Sequence, residues 1–164
     1  MKIDGNKKFP HDIAAGVGIL LSDRAHSKCI THGPPCERIT WVRLKGPVTN
    51  LFIIGYYIPH RSRIQSDQQT TLTTLLRLLV QIPPGDCIVL LTDLNEQLPA
   101  NDENVTGKWT HDKASPNAEM MMDMIRQFDL FSINTAFQPK RNSSNATFIK
   151  TTAIEGHENE NDMG

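Results

Sequence analysis

Between Arg38 and Asn95 the hydrophobic period changes twice, and few folds accommodate that order. Arg38 to Lys45, RITWVRLK, alternates: Thr40, Val42 and Leu44 share one face, and Ile39, Trp41 and Arg43 share the other. That period of two predicts a strand. Gly46-Pro47 marks a turn, and Val48 to Ile58 predicts a second strand. Upstream, Ala14 to Ser22, AAGVGILLS, reads as a further strand in which Gly16 and Gly18 suit a close backbone approach. These three strands at hairpin spacing predict an antiparallel run. The period then lengthens. Leu72, Leu75, Leu76, Leu79 and Val80 fall on one face of a helix, with Ser66 and Gln69 spaced as a capping box. Pro83-Pro84-Gly85 stops it, and Cys87 to Thr92 is apolar almost without a break, which predicts a strand buried on both faces.

The rest of the chain is less regular. Residues 1–13 and 23–36 are polar, the latter a loop ending in Pro34-Pro35. Residues 96–114 form a polar loop of a length usually functional or disordered. Ser115 and Pro116 suit an N-cap and first helical residue, and Ala118, Met121, Met122, Ile125 and Phe128 then line one helix face. Met120 and Met124 fit the same helix, as core plus one exposed flank. Leu130–Asn134 and Ala146–Ile149 are short strand candidates, and the acidic run from Glu155 reads as a disordered tail. The organisation expected is an irregular N-terminus over 1–13, one domain over 14–150 and a tail over 151–164. Strands in pairs separated by single helices predict a layered α/β (α+β) domain, two sheets face to face with helices outside.

A formal charge of −1 gives no global basic field of the kind that announces a nucleic-acid binder, although a local cleft can be basic. No apolar run is long enough to span a bilayer, and the start lacks the apolar core of a signal peptide. The expectation is an intracellular protein with Cys29, Cys36 and Cys87 as thiols. The sequons at Asn104, Asn142 and Asn145 then read as chance.

The abrupt end of the most apolar segment, in Thr92-Asp93-Leu94-Asn95, holds the chemistry. Residues two apart on a strand share a side, so Asp93 and Asn95 would enter one space if the strand persists. A carboxylate can orient or deprotonate a water, and an amide can hold a negative oxygen without adding charge. Attack on a phosphate suits that pair, given a metal ion to offset the charge. The simpler reading is a turn, because Asp and Asn bond their own backbone. Tyr57, near the end of GYYIP, can donate its phenol to a phosphate oxygen or serve as a packing ring. His26, Cys29, His32 and Cys36 are close enough to be drawn as a zinc site, but the spacing is irregular for small zinc modules. Arg61 and Arg63, with Lys140 and Arg141, are basic pairs able to touch a nucleic-acid backbone or to remain solvated loop charge.

In order, GVGILLS, ITWVRLKGPVTNLFIIGYYIP, CIVLLTDLN, VTGKW, SPNAEMMMDMIRQFDLFSINTAF and NATFI resemble the motif series of the endonuclease/exonuclease/phosphatase superfamily. The flavour is that of non-LTR retrotransposon endonuclease domains and their domesticated relatives. The resemblance covers about Gly16 to Ile149. It implies a DNase I-like four-layer α/β-sandwich, mostly antiparallel, and Mg²⁺-dependent hydrolysis of phosphodiesters, with DNA as partner of the complete domain. It implies that Tyr57 bonds the scissile phosphate or supports the attacking group, that Asp93 orients or activates water, and that Asn95 holds the phosphate and helps complete the metal surroundings. Asn117 matches a polar position at the helix start, and Arg61 and Arg63 would meet substrate. Thr92 stands where the family has glycine. The family's metal-binding glutamate and its closing Ser-Asp-His have no counterpart here, so the expectation is a fragment truncated at both ends, weak or inactive alone. Two alternatives stay open: a non-catalytic remnant that binds nucleic acid or a protein, and a phosphatase of a phosphorylated lipid or sugar.

Overall fold

The computed structural model describes residues 16–33, 38–58, 65–102, 104–110, 114–115 and 118–138. Its elements run α1 (Asp23–His26), β1 (Cys29–His32), β2 (Ile39–Leu44), β3 (Leu51–Tyr57), α2 (Gln65–Val80), β4 (Cys87–Asp93) and α3 (Ala118–Gln127), then a 3-10 turn at Ile133–Ala136. The strands form one sheet in the order β1-β2-β3-β4. β1 with β2 and β2 with β3 are antiparallel, while β3 and β4 are parallel. Parallel neighbours need a crossover, and the predicted Leu-striped helix α2 supplies it.

Alternation within the strands decides which residues meet the helices. Phe52, Ile54 and Tyr56 on β3 share a face with Ile39 and Trp41 on β2 and Ile88 and Leu90 on β4. This face packs on Leu72, Leu75 and Leu79 of α2 and on Ala118, Met121, Met122 and Ile125 of α3. Trp41 and Phe52 stack within it at 4.9 Å between centroids and 21° between planes. Met121, Met122 and Met124 are buried while Met120 is 41% exposed, which matches the expected core with one outer flank.

On the other face the sequence expectations need correction. Gly16 to Ser22 forms no strand. The alternation survives, with Val17, Ile19 and Leu21 half-buried between exposed neighbours, but the segment lies over the sheet face rather than beside an edge. It therefore has one buried side and no hydrogen-bonded ladder. Among the described residues nothing lies within 4 Å of a Cβ built on Gly16 or Gly18. The close approach is at Gly55, where a Cβ would meet Val17 Cγ1 at 2.9 Å and Thr40 Cγ2 at 3.1 Å. The expected loop over 23–36 instead contains α1, with the Ser22 hydroxyl accepting from the Ala25 N–H, and strand β1.

Two further expectations differ. β4 is not buried on both faces: its helix-side residues Ile88 and Leu90 are half-buried, while Leu91 is 57% exposed. Apolar content alone does not separate an edge strand from a central one, and β4 has no second strand neighbour among the described residues. Leu130–Asn134 contributes one isolated bridge, Ser132 to Thr106, before the 3-10 turn. No second sheet is present among the described residues, and Ala146–Ile149, residues 1–13 and the acidic tail lie outside them. No helix among the described residues is long and apolar enough to cross a membrane.

Candidate functional site

Pairing of β2, β3 and β4 brings three chemically distinct side chains into one row. Ile39 lies opposite Tyr56 and Tyr57 lies beside Asp93. The Tyr57 N–H donates to the Arg38 carbonyl at 3.0 Å, and the Ile58 N–H donates to the Asp93 carbonyl at 3.1 Å, so the pairing continues to the sheet's end. Neighbours in register point to the same side of a sheet. Arg38, Tyr57 and Asp93 therefore rise side by side on the face opposite the helices, at the carboxyl ends of the two parallel strands. Strands about 4.8 Å apart put Arg38 and Asp93 roughly 10 Å from each other, with the phenol between. Behind the row, Gly55 has no side chain, and Val17 and Ile19 cross the sheet there.

Each member is accessible for a reason rooted in the strands. Tyr57 is 37% exposed because it alternates with the fully packed Tyr56. Asp93 is the last residue of β4 and is exposed. Arg38 is half-buried, and its guanidinium carbon lies 6.0 Å from the Tyr57 ring centroid, within reach of a cation–π contact.

Asn95 departs from the expected arrangement. The strand stops at Asp93, and Asn95 has a φ of +48°, in the left-handed region that Asn tolerates better than most residues. Its N–H donates to Asp93 Oδ1 at 3.3 Å, an Asx-type turn, so the simpler reading of this tripeptide describes its backbone. Its Nδ2 donates to the Ile58 carbonyl at 2.7 Å, which ties the end of β4 to the end of β3. Asn95 is half-buried, with one of its two amide N–H groups engaged in holding the strand ends together.

The next acid, Glu96, takes a short hydrogen bond from the Ser115 hydroxyl, which also accepts the Gln97 N–H at 3.1 Å. Ser115 thus holds the loop after β4 to the start of α3; its hydroxyl does not cap a helix amide among the described residues. Asn117, Arg61, Arg63, Lys140 and Arg141 lie outside the described residues, as does Cys36 of the zinc alternative. Among the described residues no three His, Cys, Asp or Glu side chains converge as metal ligands. Asp93 is the one carboxylate of the row, so the described side chains offer Mg²⁺ a single ligand and leave the rest of its octahedron to water and substrate oxygens. The described side chains therefore do not by themselves fit the ion. A groove of about 420 Å³ runs between α2 and α3, lined by Leu72, Leu76, Met120 and Met124, and none of its lining residues belongs to the row.

Sequence reasoning paired Tyr57 with Asp93 but passed over Arg38. The signal was present in the hairpin: once Ile39 is set opposite Tyr56, Arg38 falls opposite Tyr57. Comparison of the chain with protein-family models, with curated proteins and with solved structures finds no match.

Proposed function

We propose that the chain carries the phosphoester site of a hydrolase of the endonuclease/exonuclease/phosphatase type, with a nucleic-acid phosphodiester as substrate. The observation that carries the reading is the register pair Tyr57–Asp93, exposed at the carboxyl ends of parallel strands. A phosphate placed over the row accepts a hydrogen bond from the Tyr57 phenol on a non-bridging oxygen. Asp93 orients a water on the phosphorus and accepts its proton as the new P–O bond forms; the P–O bond to the leaving oxygen breaks, and that oxygen takes a proton from solvent to leave as an alcohol. Asn95 positions this carboxylate, because its backbone N–H fixes Asp93 Oδ1 and its side chain anchors the turn. A Mg²⁺ requirement and a complete DNase I-like sandwich belong to the same proposal through the sequence resemblance alone, and no step is routed through the ion.

The test is nicking of supercoiled plasmid by the purified full chain, with Mg²⁺ and with EDTA. Asp93→Ala is expected to lower the rate by at least about a hundredfold, the usual loss for a general base. A chain that is folded by circular dichroism yet nicks no plasmid, with or without Mg²⁺, removes the hydrolase reading. The non-catalytic binding reading then takes its place.

A further inference from the structure

Arg38 is the one cation of the row, and no described residue neutralises it. Among the described residues it makes no ion pair, whereas Arg43 is forked onto Asp86 and Arg126 touches Asp102, Glu119 and Asp123. The Arg38 and Asp93 backbones are roughly 10 Å apart, two strand spacings, with Tyr57 between them. The guanidinium lies over the Tyr57 ring at 6.0 Å instead of pairing with a carboxylate. A cation–π approach uses none of the guanidinium N–H donors, and that planar fork matches two oxygens of a phosphate. The same ring carries the phenol hydroxyl, one strand over from Asp93. A cation, a phenol donor and a carboxylate thus stand in order across three adjacent strands.

We propose that Arg38 is a phosphate-binding residue of this site, donating to the non-bridging oxygens of a nucleic-acid phosphate held over Tyr57. The inference deepens the hydrolase reading and rests on it for the identity of the anion. It does not require that the chain be catalytically competent. The guanidinium supplies on one side of the phosphate the positive charge that Asp93 lacks on the other. Binding and hydrolysis are therefore separable by mutation.

The experiment is fluorescence anisotropy of a fluorescein-labelled DNA duplex with the full chain in EDTA, repeated over a series of salt concentrations. Each phosphate contact releases condensed counterion, so log K falls with log salt by about 0.9 per contact. Arg38→Gln is expected to flatten the slope by about 0.9 and to weaken binding about tenfold at low salt. Arg38→Lys is expected to restore the slope, because the charge returns, and only part of the affinity, because the fork does not. A packing role for Arg38 moves the thermal midpoint but not the slope, and the Lys variant, with its long stem, keeps the comparison usable if the Gln variant unfolds. An unchanged slope in a folded Arg38→Gln chain overturns the proposal, as does failure of the wild-type chain to bind the duplex. A flattened slope with no plasmid nicking by the wild type leaves Arg38 as a phosphate ligand and removes the hydrolase reading. An unchanged slope with intact nicking does the reverse.

Discussion

Tyr56 and Tyr57 are neighbours in sequence and have opposite chemistry because a strand turns alternate side chains to opposite faces. Tyr56 is 2% exposed, and its hydroxyl is buried with no hydrogen-bond partner. Burial pushes its phenol well above the ordinary tyrosine range, so it remains neutral and takes no part in acid–base work at the row. An unpartnered buried hydroxyl is a cost, and Tyr56→Phe is expected to be neutral or to stabilise by up to about 1 kcal/mol in urea denaturation. The sign of the pH effect follows from the raised value. The unfolded chain releases this proton near pH ~10 and the folded chain holds it, so stability falls as pH rises above that point. The Phe variant is expected to lose this alkaline decline. An unchanged decline would show that another group titrates there. Asn95 is tested by two substitutions that separate its backbone from its amide. Asn95→Gly keeps the left-handed conformation and loses the bond to Ile58, about 1 kcal/mol. Asn95→Ala loses the bond and strains the backbone, about 2 kcal/mol or more. Equal losses would mean that the amide bond to Ile58, and not the left-handed turn, carries the effect.

At the scale of elements, the sheet is fastened across three strands by one ion pair. Arg43 on β2 forks onto Asp86, just before β4, with Nε–Oδ2 at 2.7 Å and Nη2–Oδ1 at 3.0 Å, and Asn50 Nδ2 reaches Oδ1 at 3.4 Å. The Asp86 side chain is only 4% exposed, against 23% for Arg43. The hydrogen bonds from Arg43 hold the Asp86 carboxyl below the usual carboxylate range, against a smaller opposing effect of burial. A depressed value means that this pair's stabilisation is fully present above the unfolded carboxylate value, pH ~4, and is lost as pH falls through the folded value. Asp86→Asn is expected to lower the urea midpoint at neutral pH and to flatten its fall in acid. A parallel fall in both chains would exclude the pair. The sequence announced β2, β3, α2 and α3 because each shows one clean period. It did not announce β1, because Cys29 to His32, CITH, is short and half polar and becomes a strand only by pairing with the Leu44 side of β2. It misassigned Val17 to Leu21 because a period of two reports one buried side and not what does the burying. At the site, Tyr57 and Asp93 were legible as residue types at strand ends, whereas Arg38 requires the register, and the turn at Asn95 requires its dihedral angle.

Taken as a whole molecule, the sheet is covered unequally. Among the described residues, the face carrying Ile54 meets two helices and closes the apolar cluster, while the face carrying Gly55 meets the strip at Val17 and Ile19 and leaves Leu91 57% exposed. Thr40 and Val42 lie on the strip's side and are buried at 5% and 3% exposure, so the strip has a real packing role despite making no ladder. Local stability should follow this asymmetry, since segments with few backbone hydrogen bonds open first. Ile54→Ala removes a fully buried side chain from the helix-covered face and is expected to cost about 2–5 kcal/mol, with exchange protection reduced throughout the sheet. Gly55→Val places a branched side chain where Val17 Cγ1 stands 2.9 Å from the first added carbon. Displacing the strip rather than the sheet is expected to cost about 1–3 kcal/mol. Hydrogen exchange should then rise at residues 17–21 and stay nearly unchanged in β3 and α2. Because the strip backs the Arg38–Tyr57–Asp93 row, the same variant should weaken duplex binding while leaving the helix layer intact. If exchange instead rises equally in β3 and in 17–21, the two faces form one cooperative unit and the strip is as integral to the fold as the helices.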